Sequence, residues 1–153
     1  MTGNTCTPLS VGEIERALTE ACRRGHAEVI EFTVAPRDPC PEQARGGHEW
    51  LIEFADPPRA PETFVRALDE ALQRCNAEYR RMRGGDVSMA APSVLELPAG
   101  TFYRWMRIRG APGDRREVPR VANDRVVADS ILATVAVYRG EPLIAVGSMP
   151  SGG

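Results

Sequence analysis

The chain has 153 residues, 42% of them apolar and 26% charged, with a net charge of −2. That length fits one domain with a buried core, and the charge balance argues against nucleic acid or an anionic membrane as partner. No apolar run approaches the roughly 20 residues of a spanning helix, and Met1-Thr2-Gly3-Asn4 lacks the charge and apolar block of a signal peptide, so a cytoplasmic protein is expected.

Residues 1–9 read as a loose leader. Ser10 and Glu13 form a capping-box pattern, and Val11, Ile14, Leu18, Ala21 and Cys22 recur at helical spacing up to Gly25, which suits a C′ stop. A helix over 11–24 follows. Glu28 to Ala35 alternates, with Ile30, Phe32 and Val34 on one face and Glu31 and Thr33 on the other. After a loop from Pro36 to Gly47, His48 to Phe54 alternates again through Trp50, Ile52 and Phe54, so the two strands are expected to pair antiparallel. Pro61 suits a helix start, and Phe64, Leu68, Leu72, Cys75 and Tyr79 make one apolar stripe out to about Met82, before Gly84-Gly85. Ser93 to Leu97 is a third strand, reached by a helical crossover.

A strand-to-helix turn at Gly100-Thr101 comes next, with the helix ending at Gly110. An arginine-rich loop pinned by Pro119 then leads to a helix from about Asp124 to Ala133. Val135–Tyr138 and Leu143–Val146 read as two short strands around a turn, and Gly147–Gly153 as a disordered tail. The expected architecture is a two-layer α+β domain: a mixed sheet of about four to five strands with helices packed on it. The main unit spans 10–133, with a terminal strand pair over 134–146 whose exposed edge suits a homodimer.

The four cysteines, Cys6, Cys22, Cys40 and Cys75, have no zinc-type spacing, and no metal or cofactor is expected. All 19 basic residues are arginine, so no step can use a lysine. Arg104, Arg107, Arg109, Arg115, Arg116 and Arg120 have the chemistry to clamp a carboxylate or phosphate, with Tyr103 beside them; the plainer reading is a solvated basic face. Trp105 is expected in the core, on a different helix face from Tyr103. Glu117 and His48 are the candidate acid–base groups. For both histidines, His48 and the turn residue His26, an ordinary structural role is the plainer reading.

Several motifs together carry a resemblance: Glu31-Phe32-Thr33-Val34-Ala35-Pro36; His48-Glu49-Trp50-Leu51-Ile52-Glu53-Phe54; Leu72 through Asn76 to Tyr79 and Arg83; and Gly100-Thr101-Phe102, Gly110, Val118-Pro119-Arg120 and Asn123-Asp124-Arg125. Over roughly residues 9–133 the chain resembles the C-terminal domain of the Gretchen Hagen type acyl acid–amido synthetases, an adenylate-forming family. The resemblance implies a small domain that swings over a large domain holding the ATP and acyl-acid sites. That large domain is absent from this sequence. The resemblance also implies a lysine before Val-Pro-Arg; here Glu117 stands there, facing phosphate with the wrong sign. Losing one such donor costs about a hundred- to a thousand-fold in rate.

The resulting expectation is a stand-alone, repurposed domain, unable to adenylate alone. It would serve as an accessory or small-molecule-binding subunit in a bacterial biosynthetic pathway, with a separately encoded adenylating large-domain protein as partner. The alternatives are an independent cyclase, isomerase or hydrolase of natural-product biosynthesis, using a pocket at the Gly100–Arg125 corner, and a structural dimerisation module.

Overall fold

The computed structural model describes residues 9–38, 45–84, 89–109 and 118–139. The first helix, α1 (Val11–Gly25), opens with the expected capping box: the Glu13 amide donates to the Ser10 hydroxyl at 3.1 Å, and the Ser10 amide to the Glu13 carboxylate at 3.0 Å. Its end differs from expectation. His26, not Gly25, takes the left-handed position, with φ 55°. Gly25 stays inside the last turn because the neighbouring helix crosses there; a Cβ would lie 3.3 Å from the Phe64 ring.

Strands β1 (Glu28–Arg37) and β2 (Gly47–Asp56) pair antiparallel as expected, with Phe32 opposite Ile52 and Val34 opposite Trp50. Ile30 departs from its assigned face. The register shifts between Val29 and Glu31, and Ile30 is the extra residue of the bulge, 56% exposed. The single helix expected from Pro61 to Met82 is two: α2 (Pro61–Cys75) and α3 (Ala77–Gly84). Asn76 breaks them with extended φ and ψ, and its side-chain oxygen then accepts the Tyr79 amide at 2.8 Å, capping α3. Strand β3 (Ser93–Leu97) pairs parallel to β2, which confirms the crossover, and the sheet order is β1-β2-β3.

Helix α4 (Thr101–Arg109) starts at the predicted turn. Helix α5 (Val126–Arg139) corrects the expected terminal strand: Val135–Tyr138 is helical, and its presumed partner Leu143–Val146 lies outside the described residues. The reason is periodicity. Ala128, Ile131, Leu132 and Val135 fall at i, i+3, i+4 and i+7 and pack into one core. The fold is α+β with a mixed sheet, as expected, but among the described residues the sheet has three strands rather than four to five. Val118–Ala122 comes close to adding another: the Val34 amide donates to the Arg120 carbonyl and the Ala122 amide to the Val34 carbonyl, each at 3.0 Å, as a single parallel bridge.

Both faces of the sheet are covered. Phe32, Val34, Trp50, Ile52 and Phe54 pack with α1, α2 and α3, and Ala35, Leu51 and Leu97 with α4 and α5. No helix among the described residues is long and apolar enough to cross a membrane.

Candidate functional site

The corner around α4 is assembled from the strand ends. Gly100 has φ +85°, a backbone conformation that favours glycine, and it reverses the chain after β3. The first amides of α4 are then capped by a strand side chain. Glu53, buried on β2, accepts the Gly100 amide at 2.6 Å and the Phe102 amide at 3.1 Å. A carboxylate at a helix N-terminus meets both the free N–H groups and the positive end of the helix dipole. Thr101 closes the same turn by donating to the Pro98 carbonyl at 2.6 Å.

From this base, α4 lies beside α5. Trp105 is buried as expected, and its indole N–H donates to the Ser130 hydroxyl at 2.9 Å, tying the two helices underneath. On the outer side the helices leave a cleft of about 590 Å³, lined by Tyr103, Arg104, Arg107, Ile108, Ala133 and Val137 among others. Three of the sequence-predicted site residues, Tyr103, Arg104 and Arg107, therefore share one cleft. The Arg107 guanidinium donates to the Tyr103 hydroxyl at 3.2 Å and lies 5.8 Å from that ring's centroid.

Arg120 is not in this cleft. It pairs with Glu31, approaches Glu15 at 3.6 Å and lies 5.0 Å from the Phe32 ring centroid. His48 is buried on the opposite face of the sheet, stacked at 6.3 Å against Tyr79. Glu117, Arg115 and Arg116 lie outside the described residues, as does the Arg109 side chain.

Three carboxylates organise the fold in ways that sequence reading missed. Glu53 caps α4. Glu49, buried on β2, accepts from Arg125 at 2.8 Å, while Arg125 also donates to the Pro36 carbonyl at 2.9 Å and to Asp129 at 3.1 Å. Burial works against the charged Arg125 guanidinium, but the Glu49 and Asp129 carboxylates together outweigh it and hold its pKa above the ordinary value. Asp69 on α2 gathers Tyr79, Arg83 and Gln73. The available signal was the motif spacing that holds Tyr79, Arg83 and Arg125. Among the described residues no cluster of His, Cys, Asp or Glu is arranged to hold a metal.

Solved structures with a similar fold include two amido synthetases. The chain is 17% identical to a GH3.15 acyl acid amido synthetase, with a TM-score of 0.63 over 82% of this chain and 25% of that one. It is likewise 17% identical to an AtGH3.15 acyl acid amido synthetase in complex with 2,4-DB, with a TM-score of 0.61 over 80% of this chain and 23% of that one. These likenesses establish the fold, and the chain spans about a quarter of each synthetase. No curated protein sequence matches significantly. The profile of the GH3 family C-terminal domain matches residues 12–126, most of the chain, which therefore belongs to the GH3 C-terminal domain family.

Proposed function

We propose that this chain acts in trans as the C-terminal unit of an adenylate-forming amido synthetase, an accessory subunit to a separately encoded adenylating protein in a bacterial biosynthetic pathway. The observation that carries this reading is the match of residues 12–126 to the C-terminal domain family, together with the fold shared with the solved synthetases. The candidate anion-binding groups add support. Arg120 is held by internal acids, and Glu117 stands where the resemblance implies a phosphate-facing lysine. On this reading the chain does not adenylate an acid by itself.

The test is ATP–pyrophosphate exchange and amide formation, measured with the chain alone and then with an adenylating large-domain protein from the same cell. The expected result is no exchange above buffer for the chain alone and faster product formation by the pair. Exchange by the chain alone, or an unchanged rate for the pair, removes the proposal. A self-contained tailoring enzyme has weaker support, because His48 lies on the opposite face of the sheet from Tyr103, Arg104 and Arg107.

A further inference from the structure

We propose that the cleft between α4 and α5 is a docking surface for an acidic, amphipathic segment of a separate protein. Arg104 and Arg107 form its cationic rim, and Ile108, Ala133 and Val137 its apolar wall. This rests on the accessory reading above and names the face and the chemistry of the contact.

The first argument is exposure. Tyr103 and Ile108 are each 67% exposed and Val137 is 81% exposed, yet all three line one cleft. Single exposed apolar side chains are ordinary, whereas several grouped in a concave surface mark an interaction site. A small ligand buries most of its surface in its pocket. Walls this open suit a broader occupant, such as a helix laid along a groove. At 1.5 Å per residue, the nine residues of α4 offer about 14 Å of groove, enough for two to three turns of a partner helix.

The second argument is charge. Within Thr101–Arg109 there are three arginines and no acid, in a chain whose net charge is −2. Among the described residues elsewhere in the corner, Arg120 pairs with Glu31, and Arg125 with Glu49 and Asp129. Arg107 has no carboxylate partner among the described residues; its guanidinium contacts Tyr103 instead. An uncompensated cation beside apolar walls selects an acidic segment by charge complementarity. The overall negative charge disfavours nucleic acid and anionic membrane surfaces.

The third argument is preorganisation. The cleft is held from beneath by the Trp105–Ser130 hydrogen bond and by packing of Phe102 against the core that holds Ala128 and Ile131. A partner therefore meets two fixed helices, which keeps the ordering cost of binding low. The family match ends at residue 126, so the α5 wall with Ala133 and Val137 lies beyond it.

The experiment is a titration of the ¹⁵N-labelled full chain with a synthetic acetylated and amidated helical peptide of about three turns, leucine on one face and glutamate on the other. The expected result is amide shifts confined to α4 and α5, with binding that weakens as salt is added. Arg107→Glu and Val137→Asp are each expected to weaken it by about tenfold. Both side chains are exposed, and a thermal melt close to wild type confirms that the variants fold.

No binding, shifts on α1 to α3, or equal binding of a lysine-for-glutamate peptide overturns the proposal. So does tighter binding of a short single-stranded oligonucleotide or of phosphatidylserine vesicles. Co-purification separates this claim from the accessory reading. A large-domain partner retained equally by wild type and Arg107→Glu overturns the surface and leaves the accessory reading intact. Peptide mapping to α4 and α5 with no partner rate effect supports the surface and removes only the accessory reading.

Discussion

Asp69 on α2 receives the Tyr79 hydroxyl at 2.7 Å, Arg83 Nε and Nη2 each at 2.8 Å, and Gln73 Nε2 at 3.1 Å. Burial alone would raise the pKa of this carboxyl, but hydrogen bonds from Arg83 and Tyr79 and the Arg83 charge together hold it below its ordinary value. Burial and the neighbouring carboxylate push the Tyr79 hydroxyl far up, so it stays a donor at any physiological pH. A carboxyl with a depressed folded pKa contributes stability that is complete above its unfolded pKa of about 3.9 and is lost as pH falls through the folded value. Asp69→Asn is expected to cost about 1–3 kcal/mol at pH 7, because it leaves a partly buried guanidinium without its counter-charge. Urea melts between about pH 7 and pH 2 check this. The gap between wild type and variant should narrow as acid protonates Asp69, and a constant gap refutes the assignment. The apolar stripe placed Tyr79 on the correct face. It carried no information about the hydroxyl, whose partner lies across the helix break at Asn76.

Elements were legible where one periodicity prevailed. In α1 the capping box and apolar spacing both pointed to one helix, which is the helix observed. Where two signals compete, burial decides between them. The β-branched residues Val135 and Val137 suggested a strand, yet the i, i+3, i+4, i+7 apolar set continuing from Ala128 prevails, because tertiary burial overrides local propensity. Glu53 was hidden for a related reason. Its sequence position marks a polar residue on an alternating strand, and nothing local says that the amides of Gly100 and Phe102 lie above it. Glu53→Gln replaces one acceptor oxygen with an NH₂ that cannot receive an amide proton. A loss of about 1–3 kcal/mol is expected from the buried amide left unpaired. Hydrogen exchange provides the element-level test: amides of α4 should exchange faster while those of α1 and α2 keep their protection. Equal loosening throughout would mean that Glu53 supports the sheet rather than the helix start.

At the scale of the molecule, one three-stranded sheet serves two cores, and consecutive residues of β2 face opposite ways. Ile52 packs with α1, α2 and α3, while Leu51 packs with α4 and α5, and both are fully buried. The site corner thus hangs on the second core, which includes Ala35, Leu97, Phe102, Trp105 and Ile131. The sequence disclosed the first core through alternation in β1 and β2. The second was obscured because Leu51 and Ala35 occupy positions that alternation assigns to the outer face, and only the placement of α4 and α5 turns that face inward. Leu51→Ala and Ile52→Ala are each expected to cost about 2–5 kcal/mol, since both leave a cavity in a closed core. Their consequences should differ in place. Leu51→Ala should raise hydrogen exchange in α4 and α5 and weaken the peptide contact at their cleft, while Ile52→Ala should loosen α1 and α2 and leave that contact at wild-type strength in the folded fraction. If the two variants loosened the same amides, the halves would form a single cooperative core, and the corner would have no stability of its own to tune.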